Sequence, residues 1–208
     1  GSPGSADNAC QGVTASITTN SNVSCNGLSD GGATATAIGG TAPFTYTWSN
    51  SATTASVTGV VAGTYSVTIT DGTGDTDSSS VTITEPTSLV SYASVTMAIN
   101  CNGSSNGQVT ASATGGSTPY TYAWNTGGTA ALETSLGAGT YSVTITDQNG
   151  CTDSSSVIIT EPTALVTTAS TTASVSQTGF SDGSATASAT GGTTPYTYSW
   201  NTGGTSAL

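Results

Sequence analysis

Four cysteines and eleven carboxylates carry the chemistry of this chain, and neither set has a basic partner, because the sequence contains no Lys, Arg or His. The thiols are Cys10, Cys25, Cys101 and Cys151. Four cysteines allow three disulfide pairings. Six of the acids recur as pairs, Asp71 with Asp147, Asp77 with Asp153 and Glu85 with Glu161. Paired carboxylates hydrolyse glycosides, and clustered carboxylates bind calcium. Ser and Thr are abundant, but no His or Lys base is present to activate one as a nucleophile. No catalytic residue is therefore assigned, and no enzymatic activity is expected.

The same absence excludes other partners. With no cation the chain cannot neutralise a phosphate backbone, so nucleic acid is excluded. A basic patch for membrane surfaces is excluded for the same reason. Side-chain salt bridges and Lys–Asn isopeptide crosslinks cannot form. The net charge of −11 over 208 residues is too sparse to keep the chain unfolded. Hydrophobic residues at 34%, mostly Ala and Val, with Thr and Ser filling the rest, give a β-rich vocabulary apart from Ala. No run approaches the ~18 apolar residues of a membrane span. No stretch reads as a signal peptide, and Gly1-Ser2-Pro3-Gly4-Ser5 reads as a flexible leader.

The acids fall in pairs because the sequence repeats. Trp48, Trp124 and Trp200 are 76 residues apart, as are Pro43, Pro119 and Pro195 and the Gly pairs at 39–40, 115–116 and 191–192. Residues 163–208 match 87–132 at 29 of 46 positions without a gap. The expected organisation is a leader at 1–12, one repeat at 13–86, a second at 87–162, and a partial third at 163–208 that lacks its last two strands. That truncation implies a longer parent protein or another chain that supplies the strands.

Within the second repeat, apolar and polar residues alternate with a period of two. Strands are expected at Leu89–Ile99, Gln108–Thr114, Tyr120–Trp124, near Thr129–Leu136, from Gly139 through Ile145, and at Ser154–Thr160. Val109, Ala111 and Ala113 share one face. Tyr120, Tyr122 and Trp124 share another, and Tyr141, Val143 and Ile145 point inward. Six or seven short strands with frequent turns predict an all-β fold of tandem immunoglobulin-like β-sandwiches. The aromatics are assigned to the core rather than to a sugar-stacking platform, since small alanines opposite them leave the room. Short Pro-containing linkers and uniform negative charge favour an elongated rod.

Asp71 and Asp147 open turn sequences, where Asp accepts from nearby backbone N–H groups. A calcium site built from a turn Asp, Asp77 or Asp153, and Glu85 or Glu161 is the rival reading; no cofactor is otherwise expected. Asn22-Val23-Ser24 and Asn102-Gly103-Ser104 match the glycosylation pattern, and the Asn-Gly pairs read as turns.

The segment Gly115-Gly116-Ser117-Thr118-Pro119-Tyr120-Thr121-Tyr122-Ala123-Trp124, followed by Ala138-Gly139-Thr140-Tyr141-Ser142-Val143-Thr144-Ile145-Thr146-Asp147-Gln148-Asn149-Gly150-Cys151, resembles the SprB-type repeat of giant adhesins of gliding Bacteroidota. The resemblance covers nearly the whole chain apart from the leader. It implies secretion, display on the outer cell surface, and adhesion during gliding. The first repeat departs from the pattern at Asp75, where the cysteine is absent.

Cys101 follows the first strand of its repeat and Cys151 opens the last, so the two are expected to pair. Cys25 corresponds to Cys101, but Asp75 stands where its partner would be, which leaves Cys10 and the pairing Cys10–Cys25. Gln177 replaces the cysteine in the third repeat, so no bond is expected there. The functional expectation is a non-catalytic segment of a long extracellular adhesin filament. It would space and present adhesive surface to solid surfaces or polysaccharide, with motility or secretion proteins as further partners and no membrane insertion. The alternatives are a carbohydrate-binding module of a secreted enzyme and an ice-binding surface; sandwich twist argues against the flat Thr ranks the latter needs.

Overall fold

The computed structural model describes residues 12–207, and among them it contains strands and turns but no helix. No helix is therefore long and apolar enough to cross a membrane. The first six strands are β1 (Thr14–Ser21), β2 (Gly31–Ile38), β3 (Thr45–Trp48), β4 (Ser56–Val60), β5 (Gly63–Thr70) and β6 (Thr76–Ile83). The next six are β7 (Val90–Met97), β8 (Gly107–Thr114), β9 (Thr121–Trp124), β10 (Leu132–Leu136), β11 (Gly139–Thr146) and β12 (Thr152–Ile159), each beginning 76 residues after its counterpart. Then β13 (Val166–Ala173) and β14 (Ser184–Thr190) follow.

Each complete set forms two three-stranded sheets, β1-β2-β4 against β3-β5-β6 and β7-β8-β10 against β9-β11-β12. The third strand of each set crosses to the opposing sheet, which gives the immunoglobulin-like sandwich. Pairing is antiparallel, with Trp48 opposite Val67 and Tyr46 opposite Ile69 across β3 and β5. Register is fixed because a one-residue slip would turn these side chains to solvent.

In the first set the core holds Val23, Ala33, Ala35, Trp48, Val57, Val67, Ile69 and Ile83. The sheets pack tightly at Gly31, where an added Cβ would lie 2.6 Å from Ile83 Cγ2 of the opposing sheet. In the second set Val109, Ala111, Trp124, Leu136, Val143, Ile145 and Ile159 are buried, and Gly107 faces Ile159 at 3.0 Å in the same way. The two tryptophans are 2% and 4% exposed, while the tyrosines assigned to the core, Tyr46, Tyr65, Tyr120, Tyr122 and Tyr141, are only half-buried. Their hydroxyls reach backbone at the surface: Tyr65 and Tyr141 each donate to the carbonyl four residues upstream, Val61 O and Gly137 O, at 2.9 Å. The indole N–H of Trp48 donates to Thr54 O at 2.8 Å and that of Trp124 to Ala130 O at 2.9 Å, so neither ring buries an unpaired donor.

The chain divides into two compact units. One comprises the residues up to Val90 with Thr114–Tyr120 and Thr146–Asp153; the other comprises Ser91–Ala113, Thr121–Ile145 and the residues from Ser154 onward. These units are interleaved along the sequence. Two turns of the second strand set belong to the unit that holds the first set.

Candidate functional site: the inter-repeat junction

The site begins with the loop between β1 and β2. Asp30 shapes it by accepting from the Ser24 N–H at 3.0 Å and from the Ser24 hydroxyl, and this pair of bonds, the hydroxyl first, lowers its carboxyl below the ordinary range. A turn follows in which Leu28 N–H donates to Cys25 O at 3.1 Å. The loop is tied to the linker after β6. Val23 N–H donates to Thr84 O at 2.9 Å, Gly27 N–H to Glu85 Oε2 at 2.7 Å, and Asn26 Nδ2 to Pro86 O at 3.2 Å.

Two turns from the next strand set meet this loop. The turn after β8 is anchored by Gly116 N–H donating to Thr87 O at 2.8 Å. Gly116 has φ +58°, and a Cβ there would lie 2.7 Å from Asp147 Oδ2, so only glycine lets the carboxylate close in. Asp147 joins the two turns. Its Oδ2 accepts from Ser117 N–H at 2.8 Å, and its Oδ1 accepts from Asn149 and Cys151 N–H, both at 2.9 Å. Burial raises its pKa, but the N–H donors, Ser117 first, outweigh that and leave it lowered. Asp71 builds the equivalent turn of the first set. It accepts from the N–H groups of Thr41, Thr73 and Asp75, all at 2.9 Å, and from the Thr73 hydroxyl at 2.8 Å. The Thr41 bond is the largest cause that lowers its pKa to about 2.

The turn that Asp147 holds then reaches the first loop. Asn149 Nδ2 donates to Ser24 O at 2.8 Å and to Ser117 Oγ at 3.1 Å. Beside it Cys25 and Cys151 form a disulfide, S–S 2.00 Å and Cα–Cα 5.7 Å, across a sequence separation of 126.

This bond corrects both expected pairings. Cys151 is bonded to Cys25, so Cys101–Cys151 does not form, and Cys101 is a free, exposed thiol. Cys10–Cys25 does not form either; Cys10 lies outside the described residues. The geometric reason is clearest in the first set. The Cys25 loop precedes β2, while the turn containing Asp75 faces Gly40 and Thr41 beyond the far end of β2, roughly 25 Å away for an eight-residue strand. Cys101 and Cys151 stand in the same relation to the eight residues of β8. A loop cysteine and a turn cysteine of one repeat are therefore a strand apart, and the nearest turn is that of the following repeat.

The rival calcium reading needed a turn Asp, Asp77 or Asp153, and Glu85 or Glu161 in one place. In the structure Asp71, Asp77, Glu85 and Glu161 accept from backbone N–H groups. Asp71 holds its own turn, Asp77 Oδ2 accepts from Ala15 N–H at 2.8 Å, and Glu85 lies at the Gly27 loop; Glu161 Oε2 likewise accepts from Gly103 N–H at 2.6 Å. Among the described residues no group of three or more His, Cys, Asp or Glu is placed to hold a metal ion.

Fold and junction together define a tandem immunoglobulin-like repeat chain with a covalent bond between repeats. The family model for the SprB repeat matches residues 7–53, 93–129 and 169–205, more than half of the chain, and the matched segments end 76 residues apart. This chain belongs to the SprB repeat family. That membership marks it as an adhesin-like repeat segment of a cell-surface or extracellular protein. None of the curated proteins compared matches the sequence. Among solved structures, the chain is similar to a C-terminal 282-residue fragment of intimin, solved in complex with the intimin-binding domain of the translocated intimin receptor. The TM-score is 0.37 and the identity 16%, over 73% of this chain and 65% of that one. It is also similar to the amphioxus IgVJ-C2 molecule, with a TM-score of 0.29 and 13% identity, over 71% of this chain and 96% of that one.

Proposed function

We propose that this segment is a non-catalytic spacer of a long bacterial surface adhesin filament, one that holds adhesive surface away from the cell and serves in gliding motility. The observation that carries the reading is the Cys25–Cys151 bond within a chain of SprB repeats. A filament that transmits traction must not come apart at its joints, and a bond between repeats resists pulling where hydrogen bonds alone give way. The outer cell surface is a compartment in which such a bond persists. The Thr- and Ser-rich outward faces suit broad, weak contact with solid surfaces or polysaccharide, which repetition strengthens through avidity. The alternative, a carbohydrate-binding module, relies on exposed aromatic platforms, whereas Trp48 and Trp124 are buried.

Beads coated with the chain test the adhesive part. They should be retained under flow on glass and on polysaccharide gels several-fold better than beads carrying an unrelated protein of equal charge. Equal retention on both surfaces would overturn it. Antibody fragments raised against the chain test the rest: they should label intact producing cells and stop their gliding. Labelled cells that glide at normal speed would remove gliding from the proposal.

A further inference from the structure

Cys101 lies in a loop tied to its linker as the Cys25 loop is, although inside it Asn106 Nδ2 donates to Asn100 Oδ1 at 2.8 Å where Ser24 bonds to Asp30. Asn102 Nδ2 donates to Pro162 O at 3.1 Å and Gly103 N–H to Glu161 Oε2 at 2.6 Å, where Asn26 and Gly27 bond to Pro86 and Glu85 at 3.2 and 2.7 Å. Ser104 N–H donates to Cys101 O at 3.2 Å, as Leu28 does to Cys25. The third strand set also takes up the next junction. Gly192 N–H donates to Thr163 O at 2.7 Å, matching the bond of Gly116 to Thr87, and the Thr193 hydroxyl donates to Asn100 O at 3.4 Å. Asn100 and Thr193 occupy the positions of Ser24 and Ser117, the two groups that receive the Asn149 side chain at the stapled junction.

The third set lacks the strands that would bring a turn there. Its sheet has two strands, β13 and β14. An open cavity of about 690 Å³ lies over it, lined in part by Ala173, Val175, Gly183, Ala185 and Trp200. Ala185 is exposed where Val109 is fully buried, and Trp200 is half-buried where Trp124 is 4% exposed. The nearest atoms to a Cβ at Gly183 would be those of Val175 and Ala173, where the Ile83 and Ile159 side chains cover Gly31 and Gly107.

We infer that Cys101 is the acceptor half of a second inter-repeat disulfide. Its other half is the cysteine of an incoming β-hairpin of the type Gly-Thr-Tyr-Ser-Val-Thr-Ile-Thr-Asp-x-x-Gly-Cys that fills the open face of β13 and β14. The hairpin buries its alternate apolar side chains over Ala185 and Trp200 and sets its turn on Asn100 and Thr193, beside Cys101. The oxidant is a small-molecule disulfide such as oxidised glutathione. The Cys101 thiolate displaces one glutathione thiolate and forms a mixed disulfide, and the hairpin thiolate then displaces the second. Two protein thiols are oxidised, one glutathione disulfide is reduced to two thiols, and the electrons balance.

The test uses the oxidised chain with a synthetic peptide copying Glu133–Pro162, in a glutathione buffer. The products are mapped without reduction after cleavage by a protease other than trypsin, for which the chain offers no site. A scrambled peptide with one cysteine and the Cys101→Ser chain serve as controls. A docked hairpin has an effective concentration in the millimolar range, so at about 10 μM it should couple to Cys101 roughly 100-fold faster than the scrambled peptide. Equal coupling of the two peptides, preferential attack on Cys25, or a bond between Cys101 and Cys10 would overturn the proposal. A second arm appends Glu133–Pro162 directly after Leu208, which continues the repeat in register and makes docking intramolecular. Cys101 should then be bonded to the appended cysteine in nearly all molecules. An appended cysteine left free, or bonded elsewhere, would equally refute it.

Discussion

Replacing Cys25 with Ser tests the junction most directly. The Cys25–Cys151 bond closes a loop of 126 residues. In the chain-entropy description, opening a loop of that length returns about 5 kcal/mol of conformational freedom to the unfolded chain. The two repeats need not unfold together, so the smaller case matters as well. If only the second repeat opens while the first stays folded, the tether closes about 65 residues, and because the dependence is logarithmic the stabilisation is still about 4 kcal/mol. For some 150 residues this corresponds to a fall in melting temperature of about 10–15 °C. Cys25→Ser, Cys151→Ser and the double variant should therefore melt at nearly the same, lowered temperature, since all three remove one and the same bond. The assay is scanning calorimetry under non-reducing conditions. Cys101→Ser is the control and should melt like the parent. Single variants within about 2 °C of the parent would refute the reasoning, as would a larger loss in Cys101→Ser than in Cys25→Ser, which would restore the pairing within one repeat.

Four further outcomes are expected. The carboxyl of Asp71 is held at about 2 in the folded chain, below its ordinary value of 3.8, so its stabilisation is complete above that ordinary value and is lost as pH falls through the folded one. Acid melts of the parent should therefore drop between about pH 4 and pH 2, and Asp71→Asn should lower stability at neutral pH while flattening that drop; an unchanged acid profile would sink the idea. Gly31→Ala should destabilise the first repeat by about 1–3 kcal/mol in urea titrations, because its Cβ would stand 2.6 Å from Ile83 Cγ2, and the added variant Ile83→Leu, which has no methyl on its Cβ, should recover part of that loss. Asn149→Ala should cost about 1 kcal/mol in the oxidised chain, from the lost bonds to Ser24 O and Ser117 Oγ, and an excess of chelator should leave the melting temperature of either form in place.

Strands were legible in the sequence because their signal is local. Val109, Ala111 and Ala113 alternate with Thr110, Ser112 and Thr114, and that pattern alone places β8 to within a residue. The start of β10 was less legible. A strand is expected from near Thr129, but Trp124 N–H donates to Gly128 O and Ala111 N–H to Ala131 O, so the segment closes a turn before the ladder resumes at Leu132. The tyrosines shared a face with the tryptophans, yet their hydroxyls require partners at the surface, which keeps the rings half-buried. The cysteine pairing was hidden for a different reason. Cys25 and Cys151 stand at unlike positions of two repeats, and only the seating of the Asp147 turn on the preceding loop makes them neighbours. The sequence did contain the clue. Asp75 lacks a cysteine in the first repeat and Gln177 lacks one in the third, so a rule joining each loop cysteine to the next repeat's turn leaves Cys25–Cys151 as the one pair that is complete within residues 1–208.

That rule fits the composition. With no cation available, a buried carboxylate can be offset only by N–H and O–H dipoles, and Asp71 and Asp147 are each surrounded by such donors. The device works inside a turn, where the donors are supplied by neighbours in sequence. It does not transfer to a joint between repeats, because each repeat brings acids of its own, and Asp30, Glu85 and Asp147 all belong to this junction. Two negatively charged surfaces repel within about 8 Å at physiological salt. An ion-pair network would answer that repulsion in most proteins. Here the groups that cross the joint are neutral, the Asn149 amide and the Ser24 carbonyl, and the remaining link is a covalent bond whose strength does not depend on charge or salt.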